Sequence, residues 1–336
     1  MEVSAACLDS VAALLVGHSF DLARVCIGSG NGPSRGPADR VDAGLRASGV
    51  DTIRVEELDG RLEQAAELAA SIISEEVSLV LGVGGGRVID TAKLAAARTG
   101  VDFVSIPTTI SHDGICSPVA SLRQADGLRE SYAAAMPAGI IVDVEVIGSS
   151  PARALRAGVG DLASNLTAIL DWQLADRLGH DRFDAFAAMI AESAARPALD
   201  LVELSKSEDH EVLAKGLLLS GLAMAAAGTS RPCSGAEHLV SHSLDRILGS
   251  GAAMHGEQVA LGCLLSAAAH GSPLLETLHE LFATLGLPRR PSDLGLSDEL
   301  MLEALREAPS TRPDRYTILS EMDIADGGGL LERAFA

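Results

Sequence analysis

The stretch Leu81 to Lys93, LGVGGGRVIDTAK, constrains this chain more than any other. It joins a short apolar run, Val77 to Val83, to three consecutive glycines and then to residues with helical spacing. Gly84, Gly85 and Gly86 let backbone come close to a ligand, and the unpaired N–H groups at the start of the following helix carry partial positive charge suited to a phosphate. The stretch departs from the dinucleotide fingerprint GxGxxG, because after Gly82 and Gly84 the third glycine falls at position 87, which is Arg87. It does not follow the Walker pattern either. Spacing alone leaves two readings open, an anion cradle or a tight glycine turn inside an α/β domain.

The surrounding residues support the α/β setting. Val3 to Leu15 has helical spacing; Arg24 to Ile27 is a short β-like run that empties into Gly28-Ser29-Gly30-Asn31-Gly32-Pro33. Asp39 to Ala47 reads as helix, Asp51 to Val55 as strand, and Arg61 to Glu75 as a helix with Leu62, Ala65, Ala66, Leu68 and Ala69 on one stripe. After the glycine turn and its helix come a buried strand, Asp102 to Ile106, a polar loop PTTISHDGICSPVASL, and a last strand, Gly139 to Val144. Such alternation predicts a mostly parallel sheet, with ligands at the carboxyl ends of its strands. Past Ser149-Ser150-Pro151, helical periodicity runs from Ala152 to Ala269 without a convincing strand. The expectation is an α/β domain over residues 1–150, an all-helical domain over 151–336, and a ligand cleft between them.

Bulk properties limit the partners. With 47% hydrophobic residues but only 3% aromatics, the core must be built from small aliphatic side chains at close helix spacing. A formal charge of −20 argues against nucleic acid and anionic membranes, which need clustered Lys and Arg, while leaving room for a small phosphorylated ligand in a local cationic cleft. Cys7, Cys26, Cys116, Cys233 and Cys263 are odd in number, widely spaced and without a CxxC pair, which suggests reduced thiols and a cytoplasmic setting. Glu2, Asp9 and the missing basic n-region do not fit a signal peptide, and the apolar run Gly216 to Gly228 is too short to span a bilayer and reads as a buried helix. Apolar helices in an acidic chain are compatible with a homodimer.

Three of nine histidines fall together. SGAEHLVSHSL places His238 and His242 one helical turn apart, and His255 precedes a glycine and a new apolar helix. These are metal ligands or ordinary helix histidines. Asp161, in GVGDLASNLTA, offers a hard anionic ligand, although its position ahead of a helical run favours an N-cap on spacing alone.

GVGGGRVIDTAK, IPTTISHDGICSP, GVGDLASN, SGAEHLVSHSL, MHGEQVALG and RPDRYTIL, in this order, resemble the sn-glycerol-1-phosphate dehydrogenases. These enzymes belong with the glycerol dehydrogenases, iron-containing alcohol dehydrogenases and dehydroquinate synthases. The resemblance runs from about residue 80 to about 320. It implies a dehydroquinate synthase-like fold, a Rossmann-like domain followed by a helical one. Matching positions imply that Asp161, His238 and His255 hold a divalent ion, Zn²⁺ first, with Fe²⁺ or Ni²⁺ as alternatives. Gly84, Gly85, Gly86 and Asp90 match the pyrophosphate turn and its helix, Thr108, Thr109 and Ser117 the wall beside the nicotinamide, and Asn31 the region of the adenosine. Asp113 matches an aspartate near the reacting centre, and His242 becomes a substrate-contacting or supporting residue, both being candidates for proton delivery.

The implied reaction is reduction of dihydroxyacetone phosphate to sn-glycerol 1-phosphate by NADH or NADPH. A phosphonate analogue or another small hydroxy-ketone would suit the same chemistry. A dehydroquinate synthase-type carbon–oxygen lyase is a further alternative, but that branch carries a Lys-Thr-Gly segment after the cofactor turn that this chain lacks. A non-catalytic protein that kept the fold is disfavoured by the complete Asp161, His238 and His255 set. Arg87 stands where the family usually has Lys, which keeps the charge and changes its geometry. The phosphate-binding residues are not identified by the resemblance; Arg231, Arg312 and Arg315 are candidates, with a structural role as the plainer reading.

Overall fold

Strands β1 (Glu2–Ser4), β2 (Val25–Ser29), β3 (Thr52–Val55), β4 (Leu79–Gly84), β5 (Asp102–Pro107) and β8 (Gly139–Asp143) form a six-stranded sheet in the order β1-β8-β5-β4-β2-β3. Every neighbouring pair is parallel. Between β5 and β8 the chain adds an antiparallel hairpin, β6 (Val119–Arg123) with β7 (Arg129–Ala133). The helices of this half are α1 (Val11–Gly17), α2 (Arg35–Ala47), α3 (Leu62–Ser74), α4 (Gly86–Thr99) and α5 (Val144–Gly148). From there the chain is helical: α6 (Ala152–Arg177), α7 (Ala185–Ala195), α8 (Ser207–Ala227), α9 (Ala236–Leu248), α10 (His255–Ala269), α11 (Leu274–Leu285), α12 (Asp298–Thr311) and α13 (Gly327–Phe335). This is a computed structural model, and it describes residues 2–322 and 327–336.

Packing divides the chain into two units, Met1–Pro151 with Ser205–Lys215, and Ala152–Leu204 with Gly216–Ala336. A single cut at 150 makes no provision for Ser205–Lys215, which opens α8 and packs with the first unit. Helix α8, with 21 residues, passes the length and composition test for a membrane span, but 56% of its apolar window is buried inside the protein.

Strands β2 and β4, and β5 after its exposed Asp102, are buried on both faces, which is why VCIGS, LVLGVG and FVSIP do not alternate apolar with exposed polar residues. One face meets Leu8, Val11, Leu15, Val41 and Leu45. In the second unit, Leu239, Val240 and Leu244 of α9 pack with Leu261 and Leu265 of α10 and with Met301 and Ala304 of α12.

Two local expectations are corrected. Val3 to Leu15 is not one helix: Glu2–Ser4 is an edge strand, Ala6 takes φ 51°, and the helix begins at Val11. The strand forms because β8, far away in sequence, supplies its hydrogen-bond partners. The polar loop after Pro107 runs into the β6–β7 hairpin, hidden from a periodicity argument because β7 is largely exposed and lacks a buried alternate face.

Candidate functional site

In the first unit the glycine turn works by close approach. A Cβ at Gly84 would lie 2.6 Å from Cβ of Val88, so glycine there lets α4 start directly against the strand end. A Cβ at Gly85 would meet Cγ2 of Thr109 at 3.1 Å, and one at Gly86 would lie 2.2 Å from Nε2 of His112. Thr108 N–H donates to the Gly84 carbonyl at 2.9 Å, which fixes the β5 loop beside the turn. Oγ1 of Thr109 is buried with no hydrogen-bond partner among the described residues. An N-terminal helix end, backbone stripped of Cβ atoms and an uncommitted buried hydroxyl fit the diphosphate of a dinucleotide.

The remaining first-unit candidates occupy this neighbourhood in different ways. Asp90, inside α4, has its oxygens 3.0 Å from Nζ of Lys93 and 3.1 Å from the Ser121 N–H, so it ties hairpin to helix behind the turn. Lys93, fully buried, also donates to the Gly114 carbonyl at 2.7 Å. Ser117 is buried, its N–H bonded to the Asp113 carbonyl and its hydroxyl to that of Val119. Asp113 opens a short 3₁₀ turn, Asp113–Ile115, on the same loop. Asn31 is exposed after β2. His112 had no sequence signal: its Nδ1 accepts the Gly114 N–H at 2.9 Å, which aims the Nε2 edge at Gly86.

In the second unit Asp161, His238 and His255 come together, their ligating atoms all within 4.8 Å of one another. Oδ1 of Asp161 lies 3.6 Å from Nε2 of His238 and 3.5 Å from Nε2 of His255. These separations exceed a direct hydrogen bond. They match the roughly 3.3–3.5 Å between ligands of a tetrahedral ion with bonds of about 2.0–2.2 Å. Asp161 is buried inside α6, well past its first turn, so the N-cap reading is overturned.

Hydrogen bonding on the far side of each ring decides which nitrogen faces the group. Nδ1 of His238 lies 3.0 Å from Oε1 of Glu237, whose other oxygen accepts from Thr167 Oγ1 at 3.0 Å. Nδ1 of His255 lies 3.0 Å from Oγ of Ser241, and that hydroxyl spends its only proton on Oε1 of Gln258 at 3.2 Å. Ser241 must therefore accept from His255 Nδ1–H, leaving the Nε2 lone pair turned toward Asp161. Burial resists charge on His238, yet the Asp161 and Glu237 carboxylates hold its pKa up to about 9, so a cation taking Nε2 would displace a proton from this ring. Two imidazoles and a carboxylate in that arrangement fit a divalent cation. His242 sits beside them, with ring centroids 6.0 Å from His255 and 6.3 Å from His238. Burial lowers its pKa well below the usual imidazole range, and the neighbouring His255, Arg312 and His238 act in the same direction.

The three side chains converge because three helices touch at glycine. A Cβ at Gly256 would lie 1.8 Å from the Ala157 carbonyl oxygen, one at Gly160 2.2 Å from the Gly256 carbonyl oxygen, and one at Gly262 2.6 Å from the Glu237 backbone. Each contact adjoins a candidate ligand: Gly160 precedes Asp161, Gly256 follows His255, and Glu237 precedes His238. Two devices hold the helix starts. Arg153 grips Glu257 through two bonds of 2.6 Å at the head of α10. Asp171, completely buried, accepts from the Ala236 and Ile318 N–H groups at 2.6 and 2.7 Å and lies 2.9 Å from Nε2 of His270. Sequence reasoning missed Glu237, Ser241 and Gln258; the available signal was a Glu or Ser next to, or one turn from, a candidate ligand.

Known dehydrogenases are similar to this chain. Residues 2–151 match the model of the iron-containing alcohol dehydrogenase family. The chain is 42% identical over 284 residues to glycerol-1-phosphate dehydrogenase [NAD(P)+] of Methanosarcina mazei, covering 83% of this chain and 79% of that one. It is 43% identical over 263 residues to the enzyme of the same name from Thermococcus kodakarensis, covering 77% and 74%. Among solved structures, a probable glycerol dehydrogenase from Sinorhizobium meliloti superposes with TM-score 0.76 at 22% identity over 99% of this chain and 95% of that one. Glycerol dehydrogenase from Schizosaccharomyces pombe gives 0.75 at 21% identity, over 99% and 89%. These two establish the fold, and the sequence relatives establish the family: the chain belongs to the glycerol-1-phosphate dehydrogenases.

Proposed function

We propose that this protein reduces dihydroxyacetone phosphate to sn-glycerol 1-phosphate, consuming one NADH or NADPH and one proton. Asp161, His238 and His255 would hold the divalent ion, with zinc as the metal, and the Gly84–Gly86 turn with Thr108, Thr109 and Ser117 would hold the dinucleotide. When bound, the ion polarises the ketone and stabilises the developing oxyanion, while the nicotinamide supplies the hydride. The observation that carries this reading is the convergence of one carboxylate and two Nε2 atoms, each ring held from behind.

The protein's own residues perform the rest. Glu237 and Ser241 fix both rings in the tautomer that offers Nε2. His242, whose ring lies beside both His238 and His255, relays the proton that the new hydroxyl requires. Asp113, on the loop of the first unit, is the second candidate for that relay. The Thr109 hydroxyl and the backbone N–H groups at the start of α4 bind the dinucleotide.

The test is steady-state oxidation of NADH and of NADPH by zinc-loaded protein with dihydroxyacetone phosphate, its phosphonate counterpart and dihydroxyacetone. Turnover greatest on the phosphate ester is expected. Preference for dihydroxyacetone would move the activity to a glycerol dehydrogenase, and no substrate-dependent oxidation would overturn the proposal. The buried thiols and the acidic surface fit a cytoplasmic protein, and sedimentation would test the homodimer.

A further inference from the structure

Three arginines were candidates for an anion site, and they are not equivalent. Arg231 is buried, with Nε 2.6 Å from Oδ2 of Asp181 and Nη1 donating to the Tyr316 carbonyl at 2.6 Å. Its charge has a carboxylate partner, and its task is to pin the segment after α12. Arg312 and Arg315, in the RPDRYTIL segment that it pins, are different. Arg312 Nη1 donates to Ser230 Oγ at 3.2 Å, and Arg315 Nη2 donates to the same oxygen at 2.8 Å, with Nη1 on the Ser234 carbonyl. Neither has a carboxylate within ion-pair distance among the described residues.

A guanidinium carries five donors, and these two spend few of them on the protein. Burial draws Arg315 below the usual arginine range, as do the nearby Arg312 and Arg231 charges, with Glu237 and Asp181 opposing. Burial lowers Arg312 as well. The chain has 46 acidic residues against 26 Lys and Arg, so acids are not scarce; two adjoining, half-buried cations have nevertheless been left without a bonded carboxylate. Leaving them so costs free energy that a bound anion returns.

Their place points to the same anion. Arg246, on α9, donates to the Ser310 and Thr311 carbonyls at 3.5 and 3.3 Å, fastening the end of α12 to the helix that carries His238 and His242; Arg312 is the next residue. Ser234, held by Arg315, lies just ahead of α9 and of His238. His242 feels the charges of His255, Arg312 and His238 together. The arginine pair and the Asp161–His238–His255 group thus border one helix within one unit.

We infer that Arg312 and Arg315 form the subsite for the phosphoryl group of the substrate, a reading that rests on the proposed reduction of a phosphorylated ketone. A phosphate monoester at neutral pH carries about −1.5 to −2 charges on three acceptor oxygens, which two planar guanidinium forks match. A phosphonate presents the same three oxygens and is accepted. Dihydroxyacetone leaves both cations unmatched, so this pair selects against it.

The experiment uses full-length, zinc-loaded protein with Arg312→Gln, Arg315→Gln and the milder Arg315→Lys. One readout is kcat/KM on dihydroxyacetone phosphate relative to dihydroxyacetone; the other is calorimetric binding of inorganic phosphate. Each Gln variant is expected to lower that ratio by about 10- to 100-fold, chiefly through KM, and to weaken phosphate binding to a similar degree. Arg315→Lys keeps the charge without the fork and falls between. Should a Gln variant not fold, phenylglyoxal modification of the wild-type protein replaces it, with Arg312 and Arg315 expected to be protected by inorganic phosphate. A wild-type enzyme that reduces dihydroxyacetone phosphate, with variants losing equally on both substrates or with no protection, overturns the subsite and leaves the reaction standing. Phosphate binding lost in the variants without wild-type turnover of dihydroxyacetone phosphate keeps the anion site and removes the proposed reaction.

Discussion

Glycine permits close approach in both units, but what approaches differs. At Gly84 and Gly86 the neighbours are side chains, Val88 and His112, brought against the head of α4. At Gly160, Gly256 and Gly262 the missing side chains close space, letting α6, α9 and α10 meet backbone to backbone. In the first case the contact sets how α4 leaves the strand. In the second its consequence falls one residue away, because the side chains flanking each contact are brought to a common point. The same residue type, read only as a turn signal, explains half of this protein.

The contrast predicts different failures. Gly256→Ala is expected to do the most damage, since its Cβ would meet the Ala157 carbonyl oxygen at 1.8 Å and backbone cannot step aside. A loss of about 3 kcal/mol or more is expected from such overpacking, with loss of bound zinc; thermal unfolding and metal content measure both. A stable, zinc-replete variant would mean the helix crossing does not set the ligand geometry. His255→Ala leaves the crossing intact while removing a donor. It should lower kcat/KM by about 10³-fold or more, with cofactor binding measured by fluorescence titration nearly unchanged.

Gly86→Ala tests the other unit. Its Cβ would lie 2.2 Å from Nε2 of His112, a movable side chain rather than backbone, so the fold should survive. The expected result is a rise of about tenfold in the dissociation constant for NADH with zinc content unaltered. Equal effects on metal and cofactor would erase the contrast between the units. The smallest change is expected from Ser241→Ala, which deprives His255 Nδ1 of its acceptor without touching a ligand atom. About a tenfold drop in zinc affinity, read by competition with a chelator, would match an orienting role; no drop would show that packing alone orients the ring.

Much of the first unit was legible because its signals are local. Buried parallel strands appear as unbroken apolar runs, and the glycine turn follows β4 directly in sequence. What escaped was whatever depended on a distant partner or lacked a buried face: β1, whose hydrogen bonds come from β8, and β7, which is largely exposed. In the second unit the candidate ligands were visible as residue types at suggestive spacing, whereas Asp161 by itself read as a helix cap. Only its position inside a longer helix removed that alternative. Glu237 and Ser241 were ordinary residues until the structure placed them behind the two rings.

The sequence by itself determined the parallel α/β first half and the glycine turn after β4, and it offered a small set of candidate side chains for a cation. Periodicity and glycine spacing act over a few residues and need no partner to be read. Tertiary structure alone decided that Asp161, His238 and His255 meet, which nitrogen each ring presents, and that Arg231 is matched by Asp181 while Arg312 and Arg315 are not. Those facts depend on how closely helices approach one another and on which polar groups are satisfied when they do, and both are properties of the packed chain rather than of any segment.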